Sequence, residues 1–176
     1  MFSRTPTKSL TVPSQATINL DVLARVDILR GLTAEQRILV GDLGKEVTLP
    51  QGYILATYGS HADNLYLILE GSVELSVPTT SGYLPVRVVC GGESVPLSSL
   101  LGEGNVITTA VTLDASVVIT IPAVSLVELC HARPDIGVVI LESVARILAG
   151  RYAATLARLM ESTNPGIQNA ELWAAL

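Results

Sequence analysis

The spacing of apolar residues changes twice along the chain. Before residue 45 it has the period of short helices, one predicted over 18–26 and one over 32–44. In the second helix, Thr33 and Gln36 have the spacing of a capping box, and Gly44 marks the expected end. From residue 46 to residue 121, apolar and polar residues alternate instead, which indicates half-buried strands.

The clearest strand pattern is the segment 63–77, which predicts a hairpin with its turn at Glu70-Gly71. Its second strand should have one solvent-exposed and one buried face, since apolar residues alternate there with Ser72, Glu74 and Ser76. Further strands are predicted over 84–90, 106–112 and 116–121. Short strands at intervals of about ten residues are typical of an antiparallel sandwich or barrel.

The period becomes helical again after Pro122, with a short helix over 124–130 and a long one over 135–161. The long helix has two apolar stripes. One consists of Ile136, Ile140, Val144 and Ile147 and can pack on the barrel. The other has the 4-3 spacing of a coiled-coil seam and consists of Leu141, Ala145, Leu148, Tyr152, Thr155 and Leu159. The seam predicts a homodimer through this helix; a helix buried twice within a monomer is the alternative.

Composition supports this picture. Hydrophobic residues make up 49% of the chain and aromatic residues only 4%, so the core must be aliphatic, as suits strands and an apolar helix. The mean hydropathy of +0.50 indicates apolar surface that a partner covers. The Ser-, Thr- and Pro-rich residues 1–16 are predicted to be a mobile arm, residues 17–161 the domain, and residues 162–176 a tail with room for one short helix.

Several function classes are excluded by the sequence. No apolar stretch reaches the roughly 18 residues of a membrane span. The net charge of −5 and the absence of a Lys/Arg cluster argue against direct nucleic-acid binding. The two histidines lie seventy positions apart and suggest no metal site and no catalytic constellation, so we predict neither an enzyme nor a cofactor. The two cysteines are interpreted as reduced thiols of a cytoplasmic protein, with a disulfide as the alternative.

Three segments carry a resemblance to a known family: GYILATYG at 52–59, LYLILEGSVEL at 65–75 and ITIPAVSL at 119–126. Together with the element order, they resemble the cyclic-nucleotide-binding domain of the Crp/Fnr regulators and of kinase regulatory subunits, over about residues 18–160. The resemblance implies a mainly β fold with flanking helices. Its centre would be an eight-stranded double-stranded β-helix, or jelly-roll barrel, between short N-terminal helices and a long C-terminal dimerisation helix.

The family's phosphate-binding cassette resembles GESVPLSSLL at 92–101 followed by NVITTA at 105–110. Leu97 stands where the family has the glutamate that binds the ribose hydroxyl, and Val106 where it has the arginine that pairs with the cyclic phosphate. Pro96 replaces the glycine that lets the backbone approach. A cyclic phosphate needs a charge-assisted partner, and the chain has no lysine or arginine between Arg87 and Arg133. We therefore expect no tight binding of cAMP or cGMP.

The match to the cassette, and the register of the long helix, give the candidate ligand-binding residues: Pro96, Leu97, Ser98, Ser99, Asn105, Val106, Ile107, Thr108, Arg151 and Tyr152. Such a pocket would hold an uncharged or apolar small molecule, or no ligand. Only about fifteen residues follow the long helix, so we expect no helix-turn-helix of the family's kind.

The function predicted from this resemblance is a non-catalytic sensor or regulatory module that works as a homodimer. Two alternatives remain open: a structural or protein-interaction subunit without a ligand, and a true cyclic-nucleotide-binding protein with altered contacts. A protein partner is compatible with the regulatory module and with the structural subunit.

Overall fold

The computed structural model describes residues 20–101 and 104–163, so the predicted arm 1–16 and nearly all of the predicted tail 162–176 lie outside the described residues. The helices are α1 (Leu20–Leu23), α2 (Ala34–Gly41), α3 (Ala123–Ala132) and α4 (Pro134–Thr163). The strands are β1 (Lys45–Leu49), β2 (Ile54–Ala56), β3 (Asn64–Glu70), β4 (Ser72–Thr79), β5 (Gly82–Cys90), β6 (Ser94–Val95), β7 (Thr109–Thr112) and β8 (Ser116–Pro122).

The eight strands form two antiparallel four-stranded sheets, ordered β1-β8-β3-β6 and β2-β7-β4-β5. This confirms the predicted mainly β jelly-roll with flanking helices and a long C-terminal helix. Within the described residues no strand pair joins the two sheets, so the roll is open rather than a closed barrel. Its interior is filled by aliphatic side chains from all eight strands, namely Leu49, Leu55, Ile68, Val73, Leu75, Val89, Val95, Ala110 and Val118.

A second core lies on the outer face of the first sheet. Leu65 and Leu67 of β3 and Ile119 and Ile121 of β8 point away from the roll interior and pack with the helices. We call this cluster the helix-facing core. Because β3 and β8 are buried on both faces, their sequences are nearly continuous apolar runs instead of alternating ones.

Helix α4 enters the helix-facing core through one of its two predicted stripes. Ile136, Ile140 and Val144 are at most 1% exposed, and Ile147 packs against the same core. All six residues of the predicted seam are exposed, with exposed fractions of 51% at Leu141, 38% at Leu148, 67% at Tyr152 and 57% at Leu159. The stripe predicted to pack on the roll is thus the buried one, and the seam is left exposed by the residues that the structure describes.

Helix α2 begins as predicted but ends early. The Gln36 amide donates to Thr33 Oγ1 at 3.2 Å, and the Thr33 amide donates to Gln36 Oε1 at 2.9 Å, which completes the capping box. The helix ends at Gly41, three residues before the predicted end. A Cβ on Gly44 would lie 2.4 Å from Ile119 Cγ2, so this glycine is required by close packing on β8 and not by helix termination.

The alternation predicted for β4 is wrong at Ser76, which is only 4% exposed. The register of β4 on β5 shifts there, from Leu75 opposite Arg87 to Ser76 opposite Pro85. Such a bulge changes which side chains point inward. The strand predicted over 106–112 also begins later, at Thr109.

The turn between β3 and β4 supplies the first test. Gly71 has φ +91°, and a Cβ there would lie 2.3 Å from Ser116 Oγ and 2.7 Å from Asp114 Oδ1. We expect Gly71→Ala to lower the free energy of unfolding by about 2–3 kcal/mol, because backbone strain and collision add. The matched control is Gly52→Ala, with φ +78° and no atom within 4 Å of the new Cβ; it should cost only about 1 kcal/mol. Equal losses in urea unfolding of the two variants would contradict this.

Candidate functional site

The cassette segment, residues 92–109, includes β6, a 3-10 turn over Leu97–Leu100 and the start of β7. The Val95–Pro96 peptide bond is cis. Leu97 is 4% exposed and belongs to the helix-facing core, and Val106 is 2% exposed. The two positions where the resemblance expects a glutamate and an arginine therefore hold buried aliphatic side chains.

The polar residues of the cassette segment have different surroundings. Ser99 Oγ donates to the Pro96 carbonyl at 2.8 Å, whereas Ser98 Oγ is buried and makes no hydrogen bond within the described structure. The remaining predicted ligand residues of this segment are the exposed Asn105, the 72% exposed Ile107 and the half-buried Thr108. The described residues of this segment thus lie along one stretch of chain, some of them buried and some exposed.

The large concave feature lies elsewhere. A cleft of about 1200 Å³ separates α4 from the β4–β5 hairpin, and its other walls are the β5–β6 turn and the segment that follows α1. We call it the α4 cleft. Of the ten predicted ligand residues, only Arg151 lines it; Pro96 lines a smaller cavity of about 190 Å³ beside His61, and Tyr152 is exposed on the outer side of the helix.

The α4 cleft is rich in positive charge, although the whole chain carries a net charge of −5. Six of the nine arginines line it, against three carboxylates, Asp27, Glu70 and Glu93. The arginines come from three parts of the chain: Arg25, Arg30, Arg87, Arg146, Arg151 and Arg158. A concave surface with a surplus of one sign of charge concentrates its field on the enclosed space.

One ion pair is already formed at the cleft. Arg87 Nη2 donates to Glu93 Oε1, and Glu93 Oε2 accepts the Cys90 amide at 2.9 Å. Glu93 is thereby bonded to two residues of β5, which ties the two sides of the β5–β6 turn together. Arg25, Arg30 and Arg146 form no ion pair with any residue that the structure describes.

Arg151 is held deeper than the other arginines of α4. Its Nη2 donates to the Ser94 carbonyl over a long 3.4 Å, and its buried Nε has no partner in the described part of the chain. Burial lowers the pKa of Arg151, and the charge of Arg87 lowers it further, while Asp27 and Glu93 act in the opposite sense. Arg158 bonds the Val86 carbonyl at 3.0 Å. Arg151 therefore carries unused donor capacity inside a partly desolvated cleft.

Asp27 lines the cleft and is hydrogen-bonded through its Oδ1 and its backbone amide. Its Oδ1 accepts from Ser94 Oγ at 2.6 Å and from the Ile28 amide at 2.8 Å, and its own amide donates to the Gly92 carbonyl at 2.8 Å. Burial raises the pKa of Asp27, and these hydrogen bonds oppose the rise. Asp27 thus joins the N-terminal segment to the β5–β6 turn.

The sequence identified Arg151 but missed the other five arginines of the cleft. They are distributed from residue 25 to residue 158 and form no local run. Part of the signal was available, since Arg151 and Arg158 are seven residues apart and therefore share one face of α4. Glu142 and Arg146 have the i,i+4 spacing that favours an ion pair on a helix surface, but no such ion pair exists among the described residues and Arg146 borders the cleft.

Other kinds of site find no support in the described residues. They contain no group of three histidine, cysteine, aspartate or glutamate side chains that could hold a metal ion. None of the helices described is long and apolar enough to cross a membrane. Cys90 and Cys130 are both free thiols.

The chain belongs to the cyclic nucleotide-binding domain family, whose model matches residues 46–133, half of the chain. The N-terminal domain of a transcriptional regulator from Streptomyces coelicolor A3(2) is 29% identical with a TM-score of 0.64, covering 77% of this chain and 95% of that one. A cyclic nucleotide-binding domain from Methylobacillus flagellatus has 18% identity and a TM-score of 0.71, with 81% of each chain covered.

A third structure, the catabolite activator protein of Thermus thermophilus, is 22% identical with a TM-score of 0.66 over 78% of this chain, which spans 63% of that protein. A comparison with curated protein sequences finds no match. The shared fold and the Crp-type neighbours agree with the family resemblance drawn from the sequence.

The burial of the cassette positions gives a direct test. We expect Leu97→Ala to lower the free energy of unfolding by about 2–5 kcal/mol, as for other fully buried leucines. Ile107→Ala, in the same segment but 72% exposed, should change it by less than about 0.5 kcal/mol. Urea unfolding measures both. A small effect at Leu97 would mean that this side chain is not part of the core.

Proposed function

We propose that the protein is a non-catalytic regulatory module that acts as a homodimer through α4 and responds to a small molecule in the α4 cleft. The observation that carries this proposal is the position of one helix between two surfaces. Arg146, Arg151 and Arg158 of α4 border the cleft, while Leu141 and Leu148 of the same helix belong to the exposed seam.

This arrangement supports a signalling route. A ligand that binds more tightly to one position of α4 than to another shifts the helix toward that position. Because a helix of this length moves largely as a unit, the seam moves with it. The occupied cleft would therefore be reported at the dimer interface, where a partner protein can detect it.

The seam supports a second copy of this chain as the occupant. Four large apolar side chains, Leu141, Leu148, Tyr152 and Leu159, are between 38% and 67% exposed along it. Their 4-3 spacing is the one that lets two helices pack by knobs into holes. The free thiols at Cys90 and Cys130 suit a reducing compartment such as the cytoplasm.

Oligomeric state tests the dimer. We expect the wild-type chain to sediment as a dimer at micromolar concentration and the double variant Leu141→Glu/Leu148→Glu to sediment as a folded monomer, since four carboxylates would meet across the seam. Val124→Glu is the matched control, because Val124 is 64% exposed but lies on α3. A monomeric wild type would contradict the proposal.

The changed cassette gives a prediction about cyclic nucleotides. With Leu97 and Val106 buried and apolar, the cassette offers no charged partner to a cyclic phosphate, so we expect no micromolar binding of cAMP or cGMP. Titration calorimetry checks this. Micromolar binding of either nucleotide would instead favour a cyclic-nucleotide-binding protein with altered contacts, and no response to any small molecule would favour a structural dimer subunit.

A further inference from the structure

We infer that the α4 cleft is a receptor site for a small organic anion with at least two negative charges, and that Arg151 is its main anchor. The anionic group is a phosphate monoester or a set of carboxylates. The inference rests on the proposed function, whose ligand class it names, and it places the charge recognition outside the cassette segment.

The first support is the distribution of charge. Six arginines and three carboxylates line the cleft, in a chain whose net charge is −5. Arg25, Arg30 and Arg146 are not paired with any described residue, so the surplus of positive charge in the cleft is left for something that enters it.

The second support is the state of Arg151. A buried donor without a partner costs free energy, and Arg151 has such a donor at Nε and only a 3.4 Å bond at Nη2. The positive charge of Arg87, which lines the same cleft, acts on it unfavourably. An anion between the two guanidinium groups would satisfy the donors and screen this repulsion. The planar guanidinium fork matches both phosphate and carboxylate in geometry.

The third support is the set of apolar side chains that line the α4 cleft. They favour an organic ligand over an inorganic ion. Leu75, Val86 and Ile147 contribute apolar walls to the same cleft. The volume of about 1200 Å³ exceeds what an inorganic phosphate fills. A cleft with an apolar wall and a few convergent charged groups is the usual form of a site for a small organic ligand.

A matched series of probes tests the charge requirement in titration calorimetry of the full chain. AMP carries about two negative charges at pH 7, cAMP carries one and adenosine carries none. Citrate also carries more than one negative charge, but on carboxylates instead of a phosphate. We expect AMP, citrate or both to bind, adenosine not to bind, and added salt to weaken the binding. Binding of AMP but not citrate would identify a phosphate ligand, and the reverse a carboxylate ligand.

Variants test the named side chains. We expect Arg151→Gln to weaken binding of the anion at least about tenfold. Arg133→Gln, an equal loss of charge at an exposed residue outside the cleft, should leave binding unchanged. Glu93→Gln should strengthen it, because this substitution frees the Arg87 guanidinium and removes a negative charge from the cleft. A purely structural role of these residues does not predict a gain. Thermal melts confirm folding, and Arg158→Gln replaces Arg151→Gln if the latter does not fold.

Three outcomes would overturn the inference: no binding of AMP or citrate to the wild type at low ionic strength, binding of adenosine as tight as that of AMP, or equal losses in Arg151→Gln and Arg133→Gln. Each leaves the dimer to be judged by sedimentation alone. A chain that dimerises but binds only a neutral ligand would keep the proposed function and lose the anion site. A monomer that binds AMP through Arg151 would keep the anion site and contradict the proposed homodimer.

Discussion

The burial of one stripe of α4 fixes the rest of the functional geometry. Ile136, Ile140 and Val144 enter the helix-facing core, and Ser143 Oγ adds a bond of 3.2 Å to the Arg30 carbonyl. An α-helix repeats every 3.6 residues, so burying one stripe determines where every other side chain points. Arg146 and Arg151 are thereby turned toward the roll, and Leu141 and Leu148 away from it. The cleft and the seam are two consequences of a single packing contact.

In the cassette segment, two buried aliphatic side chains stand where the family resemblance expects charged residues. The backbone still runs from β6 through a 3-10 turn to β7, but Leu97 and Val106 now contribute to the interior. A buried leucine stabilises the fold by roughly the free energy of removing its surface from water, whereas a buried glutamate or arginine without a partner destabilises it. The apolar residues at these positions therefore fit their place in the interior, and six arginines line the α4 cleft instead.

Much of the architecture could be predicted because it depends on local patterns. The capping box at Thr33 and the turn at Gly71 follow from the preferences of a few adjacent residues, and the two stripes of α4 follow from its period. The errors have equally specific causes. Gly44 looked like a helix terminator, but its small size serves contact with Ile119 of β8, a residue far away in sequence. The face of Ser76 depended on a register shift between two strands, which a single-strand pattern does not contain.

The sequence by itself determined the fold class, the family and the two apolar stripes of the long helix, because each follows from the periodicity or the order of nearby residues. Only the tertiary structure decided where the charge collects. Arg25, Arg87 and Arg151 lie on different elements, and no pattern of spacing links them, since electrostatic neighbours are defined by distance in space and not along the chain. The path of the chain brings them around one cleft, and that path is set by the packing of α4 on the helix-facing core.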